Sequence, residues 1–200
     1  MKQLGLISVR RKKYRLTTDS DHKFSISSNL LNRDFKIDKP NKVWVSDITS
    51  IWTSNGWVYL VVFIDLGSRN IISWKLSKSM SKHFVVDAFK QAINERGPEK
   101  GLIIHSDRGS QYCSNEFKTI IKNKSFKQSM SRKGDCWDNA VAESFFKTLK
   151  VELINRNKYK TIEEVEIDLF NYIEIFYKRN RLHSSINYLK PMEYEKSFLS

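Results

Sequence analysis

Residues Trp57 to Ile64 read Trp-Val-Tyr-Leu-Val-Val-Phe-Ile, an unbroken apolar run of strand length. A strand with one wet face alternates apolar and polar residues, whereas a run without alternation must be covered on both faces. Such a segment requires a layered fold with helices against each side of a sheet. Within it, Val58 to Ile64 is a seven-residue stretch without a polar side chain other than the Tyr59 hydroxyl, and the run is far too short to span a membrane.

The flanking pattern fills in the layers. Val43-Trp44-Val45-Ser46-Asp47-Ile48 reads as a strand before the run, and Gly67-Ser68 turns the chain into a third strand over 70–76. Short links between three strands predict an antiparallel meander. A helix over 81–96 follows, with Val85, Ala88, Phe89 and Ala92 on one face and a stop at Gly97-Pro98. Gly101 to Ser106 is a fourth strand, 114–123 a helix, and Phe126 to Met130 a fifth strand. Helical periodicity then runs from about Asp138 to Asn155. Thr161 and Glu164 match a capping box for a last helix, with Ile162, Val165, Leu169, Ile173 and Phe176 inward. The expectation is an α/β or α+β domain with a mixed sheet.

The chain of 200 residues carries 35 Lys and Arg against 22 Asp and Glu, a net charge of +13. Residues 1–40 hold ten of those cations against four Asp, and Arg10-Arg11-Lys12-Lys13-Tyr14-Arg15 concentrates them. Asp38-Lys39-Pro40-Asn41 makes a turn-like boundary. It divides a basic arm, 1–40, from a core over 41–197. A basic arm beside a folded core suits phosphate binding, although a solvated tail has the same composition. Cys113 and Cys136 are too few for a disulfide framework and lie outside zinc-ligand spacing. With no secretory signal at the amino terminus, the expected location is the cytoplasm, and the nucleoid when DNA is bound.

Three carboxylates stand out. Asp47 interrupts an apolar strand, where an ionised side chain is expensive unless a cation or hydrogen bonds compensate. Asp107 ends the fourth strand and opens the turn Arg108-Gly109-Ser110. On the helix from about 138, Ala142, Phe145, Phe146, Leu149 and Leu153 form the buried stripe. Glu143 lies beside that stripe, with Lys147 and Lys150 one and two turns beyond it. Taken singly, each acid has a plain alternative: an edge-strand residue facing water, a turn former, or half of a surface Glu–Lys pair. Together, oxygen donors of this kind suit Mg²⁺ or Mn²⁺ and the two-metal chemistry of phosphoryl transfer. Asp65 is a rival first acid, but the following Leu66-Gly67-Ser68-Arg69 points to a turn-building role.

The words around these acids carry a resemblance. Asp107 and Glu143 are separated by 35 residues, as in the DDE transposases and retroviral integrases. Trp44-Val45-Ser46-Asp47-Ile48-Thr49, His105-Ser106-Asp107-Arg108-Gly109-Ser110-Gln111-Tyr112 and Ser129 to Phe146 are similar to the second-reading-frame catalytic product of the IS-three family of insertion sequences. The likeness runs from about residue 5 to 197 and takes in Arg181-Leu182-His183-Ser184. A Tyr-Asn usual in that family stands here as Tyr177-Lys178. The resemblance implies a ribonuclease-H-like fold: a five-stranded mixed sheet, three antiparallel then two parallel strands, flanked by helices. It implies that Asp47, Asp107 and Glu143 hold two Mg²⁺ or Mn²⁺ ions when DNA is bound. The implied reaction is cleavage at element ends followed by strand transfer into target DNA. It further implies an upstream-frame helix-turn-helix protein as fusion or partner, and a homo-oligomer assembled on DNA.

Expected DNA contacts are Arg132 and Lys133 in the loop before Glu143, Lys147 and Lys150 on its helix, and Arg10, Arg11, Lys12 and Lys13 in the arm. Trp44 and Trp137 are expected in the core, and His105 and His183 as satisfied structural histidines. Two competing functions are a non-catalytic DNA-binding fragment that inhibits transposition and a ribonuclease H. The latter uses a carboxylate early in the first helix, where this chain offers only Asp87 and Glu95, later in the helix.

Overall fold

The computed structural model describes His22 and residues 24–198, apart from the side chain of Cys136. Its elements are β1 (Val43–Thr53), β2 (Gly56–Asp65), β3 (Ile71–Ser77), α1 (Lys82–Arg96), β4 (Ile103–Ser106), α2 (Asn115–Asn123), β5 (Lys127–Met130), α3 (Ala140–Glu152), α4 (Ile162–Phe170) and α5 (Pro191–Lys196). The sheet order is β3-β2-β1-β4-β5. β1 and β2 pair antiparallel, as do β2 and β3. β4 joins β1 in parallel, and β5 joins β4 in parallel. This is the α/β, ribonuclease-H-like arrangement of three antiparallel and two parallel strands.

The apolar run of β2 is divided between two cores. Val58, Leu60, Val62 and Ile64 pack with α3, α4 and Leu31 on one side. Val61 and Phe63 pack with α1 and α2 on the other. Because side chains alternate along a strand, covering both faces is what makes every position apolar. β1 obeys the same parity: Val43 and Val45 face α3, Trp44 and Ile48 face α1.

Local chemistry explains the ends. α1 stops where Gly97 takes a left-handed conformation and its N–H bonds Ile93 at 2.8 Å. At Gly67 a Cβ would stand 2.6 Å from the carbonyl oxygen of Lys39, so only glycine fits the β2–β3 turn. Asp65 builds that turn, accepting from the N–H groups of Gly67, Ser68 and Asn41. Glu195 of α5 accepts from Ser68, Asn70 and Arg96, joining the end of the chain to the same turn.

The structure corrects the sequence reading in three places. The helix expected over 138–155 is a 3₁₀ turn (Cys136–Asn139), α3, and a second 3₁₀ turn (Ile154–Arg156). Glu164 accepts from the N–H of Lys160 rather than that of Thr161, while Thr161 caps Glu164 as a capping box requires. Beyond α4 the chain continues as a π-helix over Asn171–Tyr177. The wider turn displaces the apolar stripe by one position: Phe176 is 42% exposed and Tyr177 is 4% exposed.

Candidate active site

β1 and β4 are neighbours, and their parallel pairing sets Val45 beside His105. Asp47 lies two residues beyond Val45 and Asp107 two beyond His105, so the sheet brings these acids to adjacent places at one end. Asp47 shares the parity of Val43 and Val45, the face that α3 covers. Glu143 lies in the first turn of α3. The buried Ala142, Phe145, Phe146 and Leu149 hold α3 to the sheet and leave Glu143 outside the core.

The acids sense one another. Burial pushes the Asp47 carboxyl well above the usual carboxylate range, and Asp107 and Glu143 add to the rise. A hydrogen bond from its neighbour Ile48 N–H (2.8 Å) and the charge of Lys150 oppose it. Glu143 is also raised, by burial and then by Asp107. Lys150, half-buried, is lowered by burial, with Asp47 working against that. Three carboxylates in mutual repulsion are what a cation relieves.

Their supports are specific. Asp107 Oδ1 accepts from Gly109 N–H at 2.9 Å. A Cβ on residue 109 would stand 3.0 Å from that same oxygen and 3.0 Å from Gln111 Oε1, so glycine leaves room for the carboxylate. Gln111 is itself anchored by donating to the Met80 carbonyl. Beneath Asp47, the hydroxyls of Ser46 and fully buried Tyr112 lie 2.8 Å apart. Asn139, at the start of α3, donates from Nδ2 to the Ser46 carbonyl at 3.2 Å. Its Oδ1 is buried without a hydrogen-bond partner.

These features bear on a divalent cation. Among the described residues no three His, Cys, Asp or Glu side chains form a finished metal-binding group. Mg²⁺ needs no such cage, because it uses one or two carboxylates and completes its shell with water and phosphate oxygens. The repelling acids and the unpaired Asn139 acceptor, which a shell water can satisfy, fit a hydrated cation of this kind.

The basic residues are distributed differently. Lys133 and Lys147 are exposed. Arg132 donates from its backbone and guanidinium to Asp138. Arg10, Arg11, Lys12 and Lys13 lie outside the described residues. Asp87 forms an exposed pair with Lys75 at 2.9 Å. His105 is buried between Ser129 and Ser131, and burial lowers its pKa to about 4. Trp44 is buried as expected, but Trp137 is 69% exposed.

Asp138 escaped the sequence reading. It is fully buried and accepts five hydrogen bonds, from Asn29, Arg33 and three donors of Arg132. Hydrogen bonds from Arg132, outweighing burial, hold its carboxyl far below the usual range. Its only sequence signal was a position inside the Ser129–Phe146 block.

An integrase core domain family profile matches residues 37–136, and a second integrase core domain profile matches 143–199. The chain belongs to the integrase core family. Within the family it falls among insertion-sequence transposases of the IS3 type. It is 45% identical to the transposase for insertion sequence element IS904 of Lactococcus lactis, over 84% of this chain and 66% of that protein. It is 39% identical to transposase InsF for insertion sequence IS3A of Escherichia coli, over 100% of this chain and 69% of the relative. The chain therefore spans about two thirds of the length of these relatives. In three dimensions this integrase core resembles the HTLV-2 integrase catalytic core domain in complex with magnesium, in its trimeric form. The TM-score is 0.59 at 19% identity, covering 78% of this chain and 97% of the other. Among the described residues no helix is long and apolar enough to cross a membrane.

Proposed function

We propose that this integrase core cleaves and joins DNA strands for an insertion sequence, with Asp47, Asp107 and Glu143 as its catalytic carboxylates. One observation carries the reading: Asp107 at the end of β4 lies near enough to Asp47 of β1 and Glu143 of α3 to raise both carboxyls, and Glu143 raises Asp47 as well. Family membership supports the reaction class, and the magnesium bound by the similar HTLV-2 integrase core supports the choice of cation.

These carboxylates would hold Mg²⁺ or Mn²⁺, two ions when DNA is bound. Held there, such ions would supply activation of the attacking oxygen and stabilisation of the leaving one. The protein's own part is placement. β1 and β4 hold Asp47 and Asp107 in register, Gly109 keeps space beside Asp107, and Asn139 joins the start of the Glu143 helix to β1. Lys150 offsets part of the negative charge when no metal is bound.

Residues 1–40 serve as a basic arm and 41–197 as the catalytic core. Arg10, Arg11, Lys12, Lys13, Arg132, Lys133, Lys147 and Lys150 contact phosphates. Element ends and target DNA are the substrates, copies of the chain assemble on them, and an upstream-frame helix-turn-helix protein supplies end recognition. The working location is the cytoplasm, at the nucleoid. A catalytically silent inhibitor fragment is the less favoured reading, since all three acids are retained.

The test is Mg²⁺-dependent joining of pre-cut element ends by Asp47→Asn, Asp107→Asn and Glu143→Gln. Each should lose Mg²⁺-dependent joining while still binding DNA. Wild-type joining rates in any one variant remove that residue from the mechanism.

A further inference from the structure

We propose that Trp137 is a stacking platform for an unpaired nucleobase beside the carboxylate site. The inference rests on the reading that this chain acts on DNA, and it names a contact that the carboxylate chemistry does not require. At 69%, Trp137 is the most exposed large apolar side chain among the described residues. Single exposed aromatics are common, and exposure alone assigns nothing. The mounting is what distinguishes this one.

Trp137 lies in the 3₁₀ turn that leads into α3, and its backbone N–H donates to Asp135 Oδ1 at 3.2 Å. The next two residues are buried anchors. Asp138 is held by its five hydrogen bonds, and Asn139 is tied to the Ser46 carbonyl beside Asp47. Arg33 adds an ion pair to both Asp135 and Asp138. A turn fastened this firmly fixes the point from which the indole projects, at the start of the Glu143 helix and two residues before the bond to the strand of Asp47. Trp52, the other strongly exposed tryptophan, packs edge-on against Trp57 with ring centroids 4.9 Å apart. No ring contact of that kind involves Trp137 among the described residues.

The chemistry of the ligand follows. A flat neutral indole four and five residues beyond exposed Lys133 and Arg132 joins a π-face to a loop that carries cations, the combination that takes single-stranded nucleic acid. In a continuous duplex both faces of each base are covered by neighbours. An unpaired base, such as one at a cut end, can present a whole face to Trp137, whereas in duplex DNA only the last pair of an open end has a free face. One indole is also far too small to hold a second protein copy, which needs roughly 800 Å² per partner.

The test compares wild type, Trp137→Ala and Trp137→Tyr, in EDTA, on a short oligothymidylate and on a relaxed, covalently closed circular duplex of mixed sequence, which has no terminal base pair. Trp137→Ala should bind the oligothymidylate about tenfold more weakly, the scale of one lost stacking contact. Duplex affinity and the salt dependence of binding should hold, because no charge is removed. Trp137→Tyr should retain most of the single-strand affinity. A 2-aminopurine placed in the single strand should be quenched by wild type and not by Trp137→Ala. Unchanged single-strand affinity, equal losses on both probes, or equal losses for Ala and Tyr would overturn the assignment. So would an altered sedimentation coefficient with unaltered DNA affinity, which would make Trp137 a protein contact. In EDTA no strand is joined, so the comparison of Trp137 variants does not depend on whether the carboxylates are catalytic. A Glu143→Gln enzyme that still joins strands sinks the catalytic reading and leaves this one to its own result.

Discussion

The side-chain amide of Asn139 donates to the backbone carbonyl of Ser46 across 3.2 Å of buried space. This bond ties the start of α3 to the strand position preceding Asp47. Asn139→Ala should cost about 1–2 kcal/mol, the scale of one lost buried hydrogen bond and its side-chain volume. Strand joining should fall by more than DNA affinity does, because Glu143 and Asp47 lose a common reference. Denaturant titration beside single-turnover joining checks both halves.

Relief of repulsion should be visible without any DNA. Asp47→Asn removes a carboxylate raised by burial, Asp107 and Glu143. Its metal-free melting midpoint should therefore rise, by roughly 2–4 °C for each kcal/mol relieved. Mg²⁺ should stabilise the wild type by about 1.4 kcal/mol at ten times its dissociation constant. The response should shrink in each of the Asp47, Asp107 and Glu143 variants. Identical Mg²⁺ titrations in wild type and variants would count against metal binding there.

Acid should weaken the fold through His105. Its ordinary pKa of 6.5 falls to about 4 in the folded protein because burial disfavours the cation. Between those values the unfolded chain binds a proton that the native chain does not. Stability is thus full above pH 6.5 and is lost as pH falls toward 4, on the order of 3 kcal/mol over the window. His183, also lowered to about 4, acts in the same direction. His105→Asn should flatten the dependence of the melting midpoint on pH between 6.5 and 4 relative to wild type.

Lys147 and Lys150 are separable by salt. A lysine that neutralises a duplex phosphate adds about 0.9 to the slope of log affinity against log salt. Lys147→Ala combined with Lys150→Ala should lower the slope by up to about 1.8 and reduce strand transfer. An unchanged slope with full joining would return both to solvated surface.

Much of this architecture can be read from side-chain pattern, for physical reasons that also mark where the reading stops. Val58 to Ile64 demanded cover on two faces, and the two cores supply it. Asp47 was visible because a charge inside an apolar strand is costly wherever the strand lies. Phe176 was assigned inward on a 3.6-residue period that the π-helix abandons, and Tyr177 takes its place. Trp137 was assigned to the core because aromatic character alone says nothing of exposure in a 3₁₀ turn. The Asp138 cluster was invisible because Asn29 and Arg33 reach it from 109 and 105 residues away. Pairings at that range leave no local periodicity.

The sheet order also dictates how the site is assembled in time. β1, β2 and β3 close through short hairpin links, but β4 reaches β1 only after α1 has been made. Parallel, non-local pairing of this kind forms late and slowly. Until it does, the Val43–Val45 stretch of β1 presents an open apolar edge, the kind that recruits a neighbouring chain. A chain ended before Ile103 should therefore aggregate through β1, with Asp47 still waiting for its partners.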